Sequence, residues 1–358
     1  MDFLVKDALQ NMGGEEALEK YEVGQAKMVV IGCGGSGQNM VNWLHQKGID
    51  GADIVAINTD LQDLKLKNAD KKILIGKEVT RGLGAGGDPA RGAAAAQESI
   101  QEIKDSMQGA DMVFVCAGMG GGTGTGAAAV TAKVAKDMGA IVIGVVTMPF
   151  SIERARIDKA EFGLQKLRSV ADTVVVIDNN RLVKIAGNLP VQQAFAVANE
   201  LVSVMIKGIV EIISVPSLVN LDFADVKAIM SSGGVATVGI GTSDTASRVE
   251  EAVGEALANP LLEIDYNGAS GALIHITGGM DMTLDEIDKA GQLITQSVHP
   301  DANVIWGARV DEAHAKRITV MSIMTGVKSS HVLGNETREE KVENTQKVSN
   351  DLGIRTVY

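Results

Sequence analysis

The sequence predicts an α/β protein: a doubly wound parallel-sheet domain, a long central helix and a second, smaller α/β domain. Three observations predict it. Short apolar runs alternate with helical stretches over short connections from Lys27 to Ile177, the pattern of a parallel sheet covered on both faces. Two glycine-dense loops each lie between a strand and a helix, where such sheets bind ligands beyond the carboxyl ends of their strands. A long helical stretch with apolar residues at helical spacing, Pro190 through Ile213, then precedes a change of texture after Val215-Pro216.

Residues 1–25 read as a short helical extension broken at Gly13-Gly14. Residues 26–190 form the first domain. Its predicted strands are Lys27–Ile31, Ile54–Ile57, Lys71–Ile75, Met112–Cys116, Ile141–Thr147 and Val174–Ile177, and its predicted helices include Gln38–Gln46 and Ala127–Met138. Asp88-Pro89 marks an N-cap followed by proline in the first turn, and the alanine-rich segment to Met107 continues that helix. Residues 191–215 are the central helix. Residues 216–330 alternate again: helices over Asp222–Met230, Thr245–Ala258 and Leu284–Gln296, and strands over Thr237–Thr242, Leu273–Thr277, Asn303–Arg309 and Arg317–Thr325. Residues 331–358 are polar and charged, and end in the apolar peptide Leu352–Tyr358, the texture of a tethered docking motif.

Composition narrows the function. The 358 residues carry 45 acids against 33 bases, a net charge of −12, which argues against a nucleic-acid partner. Hydrophobic residues make up 45%, enough for buried cores. No apolar run approaches the ~18 residues of a membrane span, and Met1 to Gly14 lacks a basic leader, so a cytoplasmic protein without direct membrane insertion is expected. Cys33 and Cys116 lie in a loop and an apolar run and read as small buried residues. The five histidines show no metal-ligand spacing, and Ser151, Ser231 and Ser232 have no triad context.

The glycine loops carry the chemistry. Gly32–Asn39 satisfies G-x-G-x-x-G, which lets a phosphate approach backbone N–H groups at a helix N-terminus. Alone this pattern is unspecific, and with Asp60 at the end of the next strand it also fits a nicotinamide-dependent oxidoreductase. The second loop, Gly118–Gly126, is far less common. Packing does not readily explain five glycines in the seven residues from Gly120 to Gly126; as phosphate donors they do make sense. Two such loops point to a nucleoside triphosphate gripped from two sides. No G-x-x-x-x-G-K-[ST] occurs, and neither loop contains lysine, so the phosphate charge must be met by N–H dipoles and a cation, Mg²⁺ above all. A third segment, Arg81–Ala90, leads into a helix N-terminus near the same edge.

Gly118–Gly126 resembles the signature of the tubulin/FtsZ family in its FtsZ form. Asn58-Thr59-Asp60, Arg81–Pro89, Pro149-Phe150 with Glu153, Asn220-Leu-Asp-Phe-Ala-Asp225, Asn259-Pro-Leu-Leu262 and Ile276-Thr-Gly-Gly279 match the family in order and spacing. The likeness runs from about residue 26 to 327, and its texture resembles archaeal members. It implies a tubulin/FtsZ fold and a GTPase that polymerises head to tail into the protofilaments of a division ring. The implied ligands are GTP or GDP with Mg²⁺, or K⁺. The implied nucleotide contacts are Gly34, Gly35, Ser36, Gly37, Gln38 and Asn39 in the first loop, Asn58 and Asp60 after the second strand, and Gly84, Ala85 and Gly86 in the third segment. Gly120, Gly121, Gly122, Thr123, Gly124 and Thr125 follow in the second loop, with Gly122–Gly124 on the phosphates. The resemblance further implies that Glu153 and Arg156 lie near the ribose, that Asn179 and Asn199 read the guanine edge, and that Phe195 stacks on the base. Arg154 competes with Arg156, because the family places arginine four residues after the glutamate; Ser36 replaces a loop glycine, and Asp178 a usual proline.

The resemblance makes Asn220, Asp222 and Asp225 a loop that completes the site of the next subunit. By spacing alone, Asp222 and Asp225 are a helix-capping pair. The two roles are compatible, since a cap holds the carboxylates rigid. Leu352–Tyr358 resembles the tail peptide that docks to membrane-tethering adaptors. A scaffold without turnover and a paralogue controlling cell shape remain as alternatives within the fold.

Overall fold

The computed structural model describes residues 26–215, 217–219, 221–231, 235–258, 264–265 and 269–329. The expected N-terminal extension, the tail with Leu352–Tyr358, Asn220 and Asn259–Leu262 lie outside the described residues.

Six strands build the first sheet: β1 (Met28–Cys33), β2 (Ala52–Asn58), β3 (Lys71–Leu74), β4 (Met112–Gly118), β5 (Ile141–Met148) and β6 (Thr173–Asp178). Their order is β3-β2-β1-β4-β5-β6, and every pairing is parallel. The chain order reverses between β2 and β4 around β1, so the carboxyl ends of β1 and β4 open side by side. The helices are α1 (Gly34–Lys47), α2 (Leu61–Lys65), α3 (Lys77–Thr80), α4 (Pro89–Glu98), α5 (Ile100–Ser106), α6 (Thr123–Asp137), α7 (Ile157–Arg168), α8 (Asn179–Ala186) and α9 (Val191–Ser214). Strand β1 is buried at every residue: Val29, Ile31 and Cys33 face one core with Ala95 and Ala128 of α4 and α6, while Met28 and Val30 face the other with Leu44 and Ile206 of α1 and α9. That double burial explains why the strand reads as a continuous apolar run.

Beyond α9 come α10 (Phe223–Met230), β7 (Ala236–Ser243), α11 (Arg248–Leu257), β8 (Ile264–Asp265), β9 (Gly271–Gly278), α12 (Leu284–Thr295), β10 (Asn303–Val310), β11 (Ile318–Thr325) and β12 (Lys328–Ser329). The second main sheet has the order β10-β9-β11-β7; β9 and β10 are parallel, and β11 runs antiparallel to both neighbours. Gly239 and Gly241 let α11 close onto β7, since a Cβ there would stand 1.8 Å from the Ala256 carbonyl oxygen or 2.0 Å from that of Ala252. The sheets are joined by α9, by a parallel bridge between Val174 and Val235, and by the Thr173 hydroxyl, which donates to the Met230 carbonyl at 2.6 Å.

Three expectations change. The helix expected from Pro89 to Met107 breaks at Ser99, whose hydroxyl accepts the Gly76 N–H at 3.1 Å and whose backbone leaves helical geometry. Helices α1 and α6 begin inside the glycine loops, at Gly34 and Thr123 rather than Gln38 and Ala127. Packing, moreover, accounts for much of the second loop. A Cβ on Gly122 would stand 2.8 Å from the Ala85 Cβ, one on Gly124 2.7 Å from the Gly118 oxygen, and one on Gly126 2.0 Å from the Pro89 oxygen. Gly120 has φ +93°, and only Gly121 of the five has open space. The run is glycine-rich because α6 must press against α4 and β4 as well as leave its N–H groups bare.

Gly126→Ala tests that approach: the added methyl forces α4 and α6 apart, costs about 1–3 kcal/mol, and lowers the apo-protein melting temperature, read by thermal unfolding.

Candidate nucleotide site

A cleft of about 560 Å³ opens at the carboxyl ends of β1, β4 and β5. It is lined by Gly35, Ser36 and Asn39 of α1, by Gly121, Gly122, Thr123 and Gly124 at the start of α6, by Glu153 and Arg156, by Asn179 of α8, and by Phe195 and Asn199 of α9. The structure thus gathers most of the expected nucleotide contacts, from five separate chain segments, around one space.

The end of the cleft where phosphate is expected is a pair of bare helix termini. The N-cap residues Cys33 and Gly122 supply no side-chain cap, and neither α1 nor α6 has an acid in its first turn. By contrast, Asp60, Asp88, Asp178, Asp222 and Thr283 cap the helices that follow them. First-turn N–H groups without a cap carry the positive end of the helix dipole into the cleft, which suits a polyanion. The loops touch through backbone: a Cβ on Gly34 (φ +70°) would stand 2.7 Å from the Gly124 nitrogen, so no side chain fits between them. Hydroxyls brace the arrangement. Thr59 and Thr123 hydrogen-bond at 2.6 Å, the Thr125 hydroxyl accepts the Gly120 N–H at 2.9 Å, and Ser36 meets Thr147 at 3.4 Å.

Several expected residues shape the cleft from behind. Gly37 is buried against β4, where a Cβ would stand 2.2 Å from the Cys116 oxygen. Gln38 is fully buried, and its amide donates to Asp63, which also accepts from Asn58 at 3.3 Å. The Asn58 oxygen in turn accepts the Thr59 N–H at 2.8 Å. Asp60 caps α2 by accepting from the N–H groups of Gln62 (2.9 Å) and Asp63 (3.1 Å). Gly84, Ala85 and Gly86 form the turn behind Gly122; Gly84 and Gly86 have positive φ, and the Gly84 N–H donates to Thr59. Thr125 is buried.

At the other end, Phe150 and Phe195 meet edge to face, centroids 6.0 Å apart, leaving Phe195 half-exposed over the cleft. Glu153 accepts from the Phe150 N–H at 3.1 Å and pairs with Arg156. Arg156 rather than Arg154 is thus the arginine at the cleft, where its charge and that of Glu153 cancel. Asn180 accepts from the N–H and hydroxyl of Ser151, both at 2.8 Å, tying α8 to the turn that carries Glu153. Thr147, Phe150, Met119 and Cys33 also line the space. Of these, Thr147 had a legible signal, as the polar residue near the end of an apolar strand. Cys33 and Cys116 are buried, and burial pushes the Cys33 thiol up to about 12 and that of Cys116 well above its usual range.

Asp222 and Asp225 do not line this cleft. They form a reciprocal cap on α10: the Asp225 N–H donates to Asp222 at 2.8 Å, and the Asp222 N–H donates to Asp225 at 3.2 Å. Among the described residues, no group of three or more His, Cys, Asp or Glu side chains is placed to hold a metal, and no helix is long and apolar enough to cross a membrane.

Residues 27–187 match the GTPase domain of the Tubulin/FtsZ family, so the doubly wound sheet and its double-loop cleft define a tubulin-class GTPase that binds guanine nucleotide. Residues 234–328 match the C-terminal domain of the FtsZ family. The chain is 54% identical over 342 residues to cell division protein FtsZ 2 of Methanocaldococcus jannaschii, covering 95% of this chain and 90% of that protein. It is 50% identical to cell division protein FtsZ 1 of Thermococcus kodakarensis, covering 91% and 87%. A solved FtsZ dimer of M. jannaschii superposes with a TM-score of 0.79 at 44% identity, covering 94% of this chain and 98% of that one. The chain belongs to the FtsZ family of cell-division GTPases.

Ser36→Asp tests the bare-terminus account. An acid in the first turn of α1 stabilises the apo helix by about 0.3–1 kcal/mol and repels phosphate. Calorimetry should show GTP binding lost while apo melting holds or rises.

Proposed function

We propose that this chain is a cytoskeletal GTPase of cell division that stacks head to tail into protofilaments and hydrolyses GTP where two subunits meet. The observation that carries the proposal is the placement of carboxylates. In the cleft, Glu153 is engaged by Arg156 and the Phe150 N–H. Behind it, Asp63 is engaged by Gln38, Asn58 and Lys67. The pair best suited to orient a water, Asp222 and Asp225, follows the C-terminal end of α9, whereas Phe195 and Asn199 sit near its beginning. From Phe195 to its last residue, Ser214, helix α9 rises about 28 Å. A nucleotide and an acid pair at opposite ends of one subunit meet only when a second copy stacks on the first. The relative solved as a dimer is consistent with such stacking.

On this reading, residues 26–190 bind GTP, 191–215 are the connecting helix, and 216–330 activate hydrolysis in the neighbour. The first-turn N–H groups of α1 and α6 hold the phosphates, Glu153 and Arg156 flank the ribose, and Phe195, Asn179 and Asn199 meet the base. The third segment, Asn58 and Asp60 support the phosphate end. Asn220, Asp222 and Asp225 then approach the γ-phosphate of the adjacent subunit, where one carboxylate orients the attacking water. Phosphoryl transfer asks mostly for positioning and charge stabilisation, and rigid capping provides the former. Mg²⁺, with K⁺ as the other candidate, would supply positive charge to the phosphates when bound, adding to that of the first-turn N–H groups of α1 and α6. The protein works in the cytoplasm at the mid-cell division site, and Leu352–Tyr358 docks it to a membrane-tethering adaptor.

Phosphate release, measured across protein concentration with pelleting in parallel, tests the assembly requirement: the rate per molecule rises above a threshold if the site is shared and stays constant if each subunit is self-sufficient. Asp222→Asn keeps an N-cap acceptor and removes the charge; it should bind GTP normally and lose at least about 100-fold in turnover. Asp222→Ala adds about 1 kcal/mol of lost capping. Weakened GTP binding by Asp222→Asn would overturn the division of roles. Deletion of residues 350–358 should spare pelleting and abolish adaptor binding.

A further inference from the structure

The helix that opens at the phosphate loop and the helix that carries the base contacts are fastened together away from the cleft. Trp43 and Lys47 lie four residues apart on one face of α1, near its end. Both reach Glu200 of α9: the Trp43 indole N–H donates to Oε2 at 2.7 Å, and the Lys47 ammonium donates to Oε1. Partial burial works against ionisation of Glu200, but the hydrogen bonds from Lys47 and Trp43 outweigh it and hold the carboxyl below the usual range. A further tie lies along the same seam, where Lys207 of α9 donates to the Gly48 carbonyl at 3.2 Å.

Glu200 follows Asn199 directly and Phe195 by five residues, and both of those line the cleft. At the far end of α1, Gly35 and Ser36 line the phosphate end. The span between base contacts and phosphate donors is therefore the relative placement of α9 and α1. A carboxylate gripped through both oxygens by two side chains fixes two quantities at once. It sets the rotation of α9, which advances 100° per residue, and its height, which advances 1.5 Å per residue.

We infer that Glu200, gripped by Trp43 and Lys47, is a positioning residue that sets the nucleoside end of the cleft at the correct distance from the phosphate end. The inference rests on the base-reading role proposed above for Asn199. Glu200 touches no ligand; it acts through Asn199 and Phe195. Its loss lets α9 turn or slide, which harms recognition of the base while leaving the phosphate donors of α1 and α6 in place.

The test uses the full chain in a Trp306→Phe background, so that Trp43 is the single tryptophan. GTP, ATP and inorganic triphosphate are titrated against this parent and against Glu200→Ala, Glu200→Gln and Asn199→Ala. Tryptophan emission and melting temperature are recorded for each. Glu200→Ala should weaken GTP about ten-fold, shrink the GTP-over-ATP preference by the same factor, leave triphosphate binding unchanged and abolish the response of Trp43 emission to GTP. Glu200→Gln, which still accepts from the indole, should recover most of the preference. A lower melting temperature with the preference intact in Glu200→Ala would reduce Glu200 to ordinary packing and overturn the inference. An unchanged preference in Asn199→Ala would instead remove the base-reading role of Asn199. In that case, equal weakening of GTP and ATP by Glu200→Ala with triphosphate unchanged would leave the positioning role standing through Phe195, whose stacking does not distinguish the two bases.

Discussion

Everything at the cleft depends on one close approach, that of Gly34 to Gly124. Strands β1 and β4 are neighbours in the sheet, so the turns that leave them lie side by side. Without a side chain on either glycine, the turns meet backbone to backbone and the helices they begin point bare termini into one space. Two uncapped helix N-termini then face one space, which suits an anion without calling on a loop lysine. The same approach constrains its surroundings: Gly37 must fit beneath the Cys116 carbonyl, and Gly126 and Gly92 must let α4 cross α6.

That economy leaves the rest of the ligand to other elements. The ends of β5 and β6 lead into the turn with Glu153 and into α8, and Asn180 ties those two together. Helix α9 brings the aromatic face and Asn199 from the far side. A site assembled from five segments is only as accurate as the packing between them. The edge-to-face contact of Phe150 with Phe195 and the hydroxyl bridge from Thr59 to Thr123 each span two segments, and this is how the accuracy is kept.

Much of this was legible in the residues. Strands β1, β4, β5 and β6 stood out as apolar runs because both of their faces are buried, while the edge strand β3, which opens with exposed Lys71 and Lys72, showed only as a short strand. Asp88-Pro89 and Asp222 with Asp225 read as caps and are caps, because an N-cap is a local arrangement of a few residues. Other features were hidden. The break at Ser99 depends on Gly76, which is distant in sequence, so helical propensity alone carried the alanine-rich run too far. Helix α7 shows its buried face in Ala160, Leu164 and Leu167, a stripe too short to stand out before its packing surface is known. The packing role of the second glycine loop does not show in its sequence. The helix crossing that explains Gly126 exists only in three dimensions. Asp63 gave no signal either, since it reaches Gln38 only because β2 lies beside β1.

The two cysteines carry a practical consequence. Cys33 and Cys116 lie within the packed first sheet, and burial holds both thiols in the protonated form. A maleimide or iodoacetamide reacts with thiolate that it can reach, and near neutral pH the native fold offers neither. The wild-type chain is therefore chemically silent to such reagents while folded. One cysteine placed on its surface, beside α9 or at the tip of β10, takes a fluorophore or spin label selectively, with both native cysteines left in place.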